Sequence, residues 1–369
     1  MGKVRVLIAD PFEALGGEEE VAFYIYQELD RNKFEVYITG DEGSIYFQKK
    51  CPKKTEMINV YPKGKTNFQE MIRFRKIVKN KKIDIINVHG YSGGFFVRLA
   101  CMGLKDTKII WTMHTNVEDM FPYRSFRQRI STFVENIINN HMVFTDQIIT
   151  VCHDSRKKLL ERGITKVPIT TIYNGIDIGK FTIDEKKYDS KKEIVLGFFS
   201  RLSTQKDVPL LLESMRRLVR EKKDVRLIIA GDGDQKRYVK QYITEHRLQK
   251  YITYLDFCKN ISKQFLKIDI LVLPTHYECF PMILLEAMCT GTPVIASDVG
   301  GVAEIVKDGF NGYLVQAENI NDFLEKINCY IEDKSLIETH GKNGKKHIEE
   351  KYSKDRMVLQ YSDIYERTV

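Results

Sequence analysis

Two glutamates eight positions apart, Glu278 and Glu286, head the side chains whose type and placement could do chemistry. They sit in the run from Pro274 to Glu304, PTHYECFPMILLEAMCTGTPVIASDVGGVAE. The preceding apolar run, Ile270 to Leu273, reads as a buried parallel strand, and Thr275 to Cys279 as the polar loop that leaves it. A helix follows, with Pro281 suited to its first position and Gly291 placed for a left-handed C-terminal cap. That helix is apolar almost all the way round (Ile283, Leu284, Leu285, Ala287, Met288), which marks it as buried. Glu286 interrupts the pattern, and a carboxylate there requires a cation or a polar ligand beside it. Glu278 falls on the loop at the carboxyl end of the strand, where open α/β sheets bind ligands.

Glutamates at this spacing arise by chance, so the context carries the inference. Glu-x-Phe-Pro, Glu-Ala-Met, Gly-x-Pro-Val-Ile-Ala-Ser and then Gly300, Gly301 and Glu304 follow in one order and register. This resembles the signature of the family 4 glycosyltransferases, retaining enzymes of the GT-B fold, whose paired glutamates match Glu278 and Glu286. The resemblance implies that Glu286 meets the ribose of a nucleotide-diphosphate sugar, Glu278 the sugar, and the backbone N–H groups of Phe280, Met282 and Ile283 the phosphate or sugar. Further along the same resemblance, Arg201 and Lys206 in Phe199 to Lys206 match two cations that bind the donor diphosphate, with Ser200 where the family has glycine. Two cations on one strand-end loop suit a leaving group on which negative charge builds.

Three further places are candidates. Gly16-Gly17-Glu18 follows the first strand, and Gly17 would let backbone approach a phosphate or an acceptor, although no Gly-x-Gly-x-x-Gly fingerprint is present there. His114 ends the strand Lys108 to Met113 and matches the family's histidine near the transferred sugar; His89, ending the strand before it, is the second candidate. Asp232 and Asp234 form an Asp-x-Asp, a metal-binding pattern in the other large glycosyltransferase fold. Here they lie in a Gly-Asp-Gly-Asp turn after a strand, so no metal and no cofactor are expected. Asp256 stands where the family often has a glycine beside the base.

The elements that position these residues form two series. Strands over Val4–Ala9, Phe34–Thr39, Ile83–Val88, Lys108–Met113 and Gln147–Val151 alternate with helices at Glu18–Leu29, Phe68–Val78, Gly93–Met102, Arg127–Asn140 and Asp154–Leu160. A turn at Asn174 to Asp177 and a polar linker, Asp184 to Lys192, precede a second series. Its strands are Ile194–Phe199, Val225–Ala230, Ile252–Leu255, Ile270–Leu273 and Pro293–Ala296, with helices at Pro209–Arg220, Gln235–Arg247 and Ile261–Phe265. The expected fold is α/β: two Rossmann-like doubly wound domains facing across a cleft. Residues 1–175 form the acceptor-side domain and 176–352 the nucleotide-sugar domain, and by the resemblance the C-terminal helix, 353–369, crosses back onto the first.

A chain of 369 residues accommodates two such domains. No apolar stretch reaches membrane-spanning length and the first residues read as a strand, so the protein is expected in the cytoplasm. Seven cysteines without a Cys-x-x-Cys pair read as reduced thiols, with Cys279 the one at a helix start. The net charge of +8 is uneven: residues 1–180 hold 28 Lys and Arg against 21 Asp and Glu, the remainder 30 against 29. The excess gathers over Lys63 to Lys82 and at Arg124, Arg127 and Arg129. It implies either solvated helix faces or attraction to an anionic membrane surface or a pyrophosphate-bearing acceptor; no nucleic-acid-binding motif accompanies it. The expected partners are a nucleotide-sugar donor, UDP preferred, and a glycan or lipid-linked acceptor, with peripheral attachment to the inner membrane face. A nucleotide-sugar epimerase of the same fold and an inactive sugar-nucleotide-binding protein are the alternatives.

Overall fold

In a computed structural model, residues 2–12, 16–40, 44, 46, 57–60, 68–90, 92–120, 130, 145–181, 193–256, 258 and 261–369 are described. Apart from Ile130, the expected helix Arg127–Asn140 lies outside them, as do Arg124, Arg127 and Arg129, the basic residues Lys63 and Lys65, and the linker Asp184 to Lys192. The chain divides into two compact units, Met1–Gly175 with Lys354–Val369, and Ile176–Ser353.

The first unit runs β1 (Val4–Ala9), α1 (Gly17–Glu28), β2 (Phe34–Thr39), β3 (Met57–Ile58), α2 (Phe68–Asn80), β4 (Ile85–His89), α3 (Ser92–Ala100), β5 (Lys108–Met113), α4 (Val117–Met120), β6 (Gln147–Thr150), α5 (His153–Glu161) and β7 (Ile169–Thr171). Its seven parallel strands stand in the order β3-β2-β1-β4-β5-β6-β7. The second runs α6 (Ile178–Phe181), β8 (Ile194–Phe199), α7 (Val208–Arg220), β9 (Val225–Ala230), α8 (Lys236–Glu245), β10 (Ile252–Leu255), α9 (Ser262–Phe265), β11 (Ile270–Leu273), α10 (Met282–Cys289), β12 (Val294–Ser297), α11 (Val302–Ile305), β13 (Gly312–Val315), α12 (Ile320–Glu332) and α13 (Ser335–Lys351). Its parallel order is β10-β9-β8-β11-β12-β13.

Both sheets therefore reverse direction once, between β1 and β4 and between β8 and β11. At such a switch point the connections leave to opposite faces and open a ligand crevice beyond the strand ends. The strands are near-continuous apolar runs because helices cover both faces. Leu7, Val88, Phe74 and Val78 share one core in the first unit, and Leu196, Leu227, Val272 and Phe323 one in the second.

The last helix, α14 (Lys354–Thr368), belongs to the first unit. Tyr361 and Tyr365 are fully buried there. Asn87 Nδ2 donates to Tyr365 Oη at 2.6 Å, and Thr112 Oγ1 donates to Asn87 Oδ1 at 2.8 Å. This polar chain satisfies groups that would otherwise be stranded in the core, and it fixes α14 to β4 and β5.

Candidate functional site

The loop after β8 and the loop after β11 are clipped together along their backbones. Gln205 is the main clip: its Nε2 donates to Tyr277 O at 2.8 Å, and its carbonyl accepts from His276 N at 2.9 Å and Thr275 Oγ1 at 3.0 Å. Asp207 N donates to Pro274 O at 3.1 Å, while the Asp207 carboxylate caps α7 by accepting from Leu210 N. These bonds bring Lys206 against Glu278, and the two side chains form a buried ion pair. Sequence reasoning names the pair's members; Gln205, which holds them in register, it passes over because an amide in a loop has no distinctive pattern.

Arg201 lies on the same loop but is exposed, with no ion-pair partner for its guanidinium among the described residues. Its backbone is set by packing from below. A Cβ on Gly233 would stand 2.2 Å from Leu202 O, and one on Gly231 2.0 Å from Ser200 O. Only glycine lets the β9 turn approach that closely. Asp232 is spent on this turn: its Oδ1 accepts from Gly233 N, and its carbonyl accepts from Leu202 N at 2.9 Å. Among the described residues no group of three or more His, Cys, Asp or Glu side chains is arranged to hold a metal ion. Asp256 is in a surface ion pair with Lys236 at 2.6 Å.

Helix α10 begins one residue later than expected. Pro281 is the residue before the first turn, not in it, and no side chain caps that end. The first N–H groups of an α-helix have no intrahelical acceptor, so the start of α10, at Met282 and Ile283, presents donors and the positive end of the helix dipole. Leu284, Leu285, Ala287, Met288 and Cys289 are buried, while Ile283 and Glu286 are only half-buried. Three residues apart, they share one face, so the carboxylate stands on the one stripe of α10 that is not packed away. Gly291 has φ +75° and ends the helix in the left-handed conformation. Cys279 is buried, and burial pushes the Cys289 thiol up to about 12, leaving it protonated.

Gly17 and His114 lie in the first unit. Gly17 opens α1, preceded by Gly16 in an extended conformation. His114 follows β5 and His89 ends β4, and the two rings are stacked with Nδ1 of His89 2.9 Å from Nε2 of His114. The sequence sets these histidines up as rivals; the fold makes them a pair. Burial holds His114 down at about 3 and His89 well below the usual imidazole range, so both are neutral at physiological pH.

Two open sheets of Rossmann-type order in one chain, each with polar groups gathered at its switch point, define a GT-B type glycosyltransferase fold. Solved structures agree over the whole length. Sucrose-phosphate synthase from Thermosynechococcus elongatus matches with a TM-score of 0.82 at 17% identity, covering 99% of each chain. HepE of Anabaena in complex with UDP and glucose matches with 0.81 at 20% identity, covering 99% of this chain and 100% of that one. The family model for Glycosyltransferase Family 4 matches residues 15–180, and that for Glycosyl transferases group 1 matches residues 180–347. The chain belongs to the family 4 glycosyltransferases and is a transferase enzyme. Among curated relatives, an uncharacterized glycosyltransferase of Methanocaldococcus jannaschii is 30% identical over 234 residues, 59% of each chain. The UDP-Gal:alpha-D-GlcNAc-diphosphoundecaprenol alpha-1,3-galactosyltransferase of Escherichia coli is 25% identical over 98% of this chain and 97% of its own.

Proposed function

We propose that the protein transfers a hexose or N-acetylhexosamine from a nucleotide-diphosphate sugar, UDP first among the candidates, to a glycan or lipid-linked acceptor with retention of anomeric configuration. The observation that carries this reading is the Lys206–Glu278 ion pair at the β8/β11 switch point, beside a helix start with no side-chain cap. An incoming diphosphate gives Lys206 a second anion and frees Glu278 to accept from sugar hydroxyls. Arg201, exposed on the same loop, closes on the other phosphate. The N–H groups of Phe280, Met282 and Ile283 and the dipole of α10 add to the field that stabilises the leaving diphosphate as charge builds on it. In this scheme no metal is required. Glu286, on the open stripe of α10, accepts from the ribose hydroxyls, and the departing phosphate takes the acceptor's proton on the same face. In the first unit Gly17 lies against phosphate or acceptor, and His114 hydrogen-bonds the transferred sugar.

The UDP in the HepE complex and the lipid diphosphate in the name of the E. coli relative favour a UDP-sugar and a lipid-linked precursor of a cell-surface glycan. Helix α2 supports peripheral attachment to an anionic membrane surface: Arg73, Lys76 and Lys79 are exposed, next to Phe68 and Ile72, which are 71% and 54% exposed. Arg75 is not part of that surface, because it turns inward to donate to Ala100 O and Met102 O. Among the described residues no helix is long and apolar enough to cross a membrane.

The test is thermal unfolding with saturating UDP, GDP or ADP, without metal, for the wild type and for Arg201→Ala and Glu286→Ala. A ligand at a hundred times its Kd adds about 2.7 kcal/mol. UDP is expected to raise the wild-type melting temperature and to do so much less in either variant; indifference to all three nucleotides refutes the donor site.

A further inference from the structure

The switch point of the first sheet carries groups for which the donor reading has no use. Glu18 lies in the first turn of α1, just after β1, and its carboxyl group reaches across to the end of β4. Its Oε1 is 2.9 Å from the point that a Cβ on Gly90 would occupy. Gly90 has φ +82°, and its carbonyl accepts from Trp111 Nε1 at 3.2 Å, so the backbone there is fixed. Any other residue at position 90 would be strained and would also displace the carboxyl group. Next to Gly90, His89 is fully buried. Its Nδ1 is engaged with His114, but its Nε2 is buried with no hydrogen-bond partner among the described residues. The half-buried Glu18 carboxyl has no hydrogen bond to a described residue either. Buried polar groups are ordinarily satisfied, and one left open at a switch point reads as a place kept for a ligand.

We propose that Glu18 and His89 form a subsite that holds a neutral hydroxyl group of the acceptor sugar. The inference rests on the glycosyltransferase reading and names the acceptor side of it. The chemistry selects a hydroxyl over a phosphate. Burial and the neighbouring Glu19 raise the Glu18 carboxyl to about 8, and both imidazoles are neutral, so neither side chain of the subsite offers an anion a positive charge. A protonated carboxyl donates one hydrogen bond and accepts another, and an imidazole nitrogen adds a third, which matches the donor and acceptor of a single hydroxyl. A phosphate on the acceptor is left to be bound elsewhere.

The experiment is titration of the protein, with saturating UDP, by three neutral sugars: methyl α-glucoside, methyl α-galactoside and methyl α-N-acetylglucosaminide. The wild type, Glu18→Ala, Glu18→Gln and His89→Gln are compared, with Trp111 fluorescence and UDP affinity as checks on the fold. Glu18→Ala is expected to weaken sugar binding at least tenfold and Glu18→Gln by no more than about threefold, since the amide also donates and accepts. His89→Gln is expected to weaken it as well and carries the test should Glu18→Ala not fold. Equal binding by wild type and Glu18→Ala, or by wild type and His89→Gln, no binding by either included, overturns the proposal. So does a Glu18→Gln variant as weak as Glu18→Ala, because the side chain would then act through its charge. UDP affinity is read separately, so loss of the donor assignment is not confused with loss of this one.

Discussion

The switch point between β8 and β11 holds a buried ion pair, Lys206 with Glu278, whereas the one between β1 and β4 holds a carboxyl group and two imidazoles that are uncharged near neutral pH. Strand order is the same in both places, so topology supplies the crevice and the side chains decide what enters it. A paired cation that can change partners suits an anion that arrives and gains charge during reaction. Desolvated neutral groups suit a hydroxyl, which would be a poor competitor for water at a charged surface. The contrast also sets what each unit costs to maintain: a charge pair in one, a pair of shifted titrations in the other.

The largest effect is expected from breaking the ion pair. Lys206 is 8% exposed, and Lys206→Met leaves Glu278, its side chain 10% exposed, as an uncompensated charge largely out of water. Removing one partner of a buried pair costs about 3–5 kcal/mol. The loss is confined to the second unit. Trp111 is the chain's one tryptophan and is buried on β5, so its fluorescence follows the first unit alone. In Lys206→Met the Trp111 transition stays in place while a second calorimetric transition moves down. A Trp111 transition that moves with it would mean the two units unfold as one, and the comparison would lose its footing.

A smaller effect follows pH. The native imidazoles bind a proton only far below the unfolded value near 6.5, so stability falls as pH drops from about 6.5 towards 3. Glu18 acts in the other direction. The native carboxyl keeps its proton up to about 8, but the unfolded one loses it near 4.5, so stability falls as pH rises through that window. Above pH 6.5 the opposing imidazole contribution fades over about one pH unit, leaving the Glu18 slope, which continues towards pH 8. Between pH 6.5 and 8 that slope takes away about 2 kcal/mol, at 1.36 kcal/mol per pH unit. The urea midpoint read from Trp111 is expected to drop over this interval in the wild type relative to Glu18→Gln, in which only the residual imidazole titration remains and the midpoint rises slightly. A wild-type profile parallel to that of Glu18→Gln would show Glu18 ionised at neutral pH and would erase the electrostatic contrast.

Much of this arrangement is legible before folding. Runs such as Val4–Ala9 and Ile270–Leu273 announce parallel strands because both faces are buried, and Glu278, Glu286, Arg201 and Lys206 are close to apolar strand ends in the sequence itself. What stays hidden depends on approach across the chain. Strand β13 is four residues long and opens on Gly312, so neither length nor composition marks it. Helix α13 contains Gly341 and Gly344, residues that weaken a helix by about 1 kcal/mol each. Their reason is packing: a Cβ on Gly341 would lie 2.1 Å from Gly291 O, and one on Gly344 3.2 Å from Met288, so the glycines let α13 back closely against α10. Glu18 is hidden in the same way. As the third residue of Gly-Gly-Glu it reads as a helix start, and only the fold brings its carboxyl to Gly90. The two histidines, each at the end of its own strand, become a pair only because β4 and β5 are neighbours.

The smallest effect tests where the first unit ends. Tyr365 on α14 accepts a hydrogen bond from Asn87, two residues before His89 and on the same side of β4. Asn87 in turn accepts from Thr112, two residues before His114 on β5, so one polar chain runs from the last helix beneath the histidine pair. Tyr365→Phe keeps the ring and its packing and removes one buried acceptor. The stranded Asn87 amide costs about 1 kcal/mol. Because α14 returns to the first unit, that loss is expected in the Trp111 transition and not in the calorimetric transition of the second unit. The reverse result would assign α14 energetically to the second unit, and the neutral site would then rest on a helix that answers to the charged one.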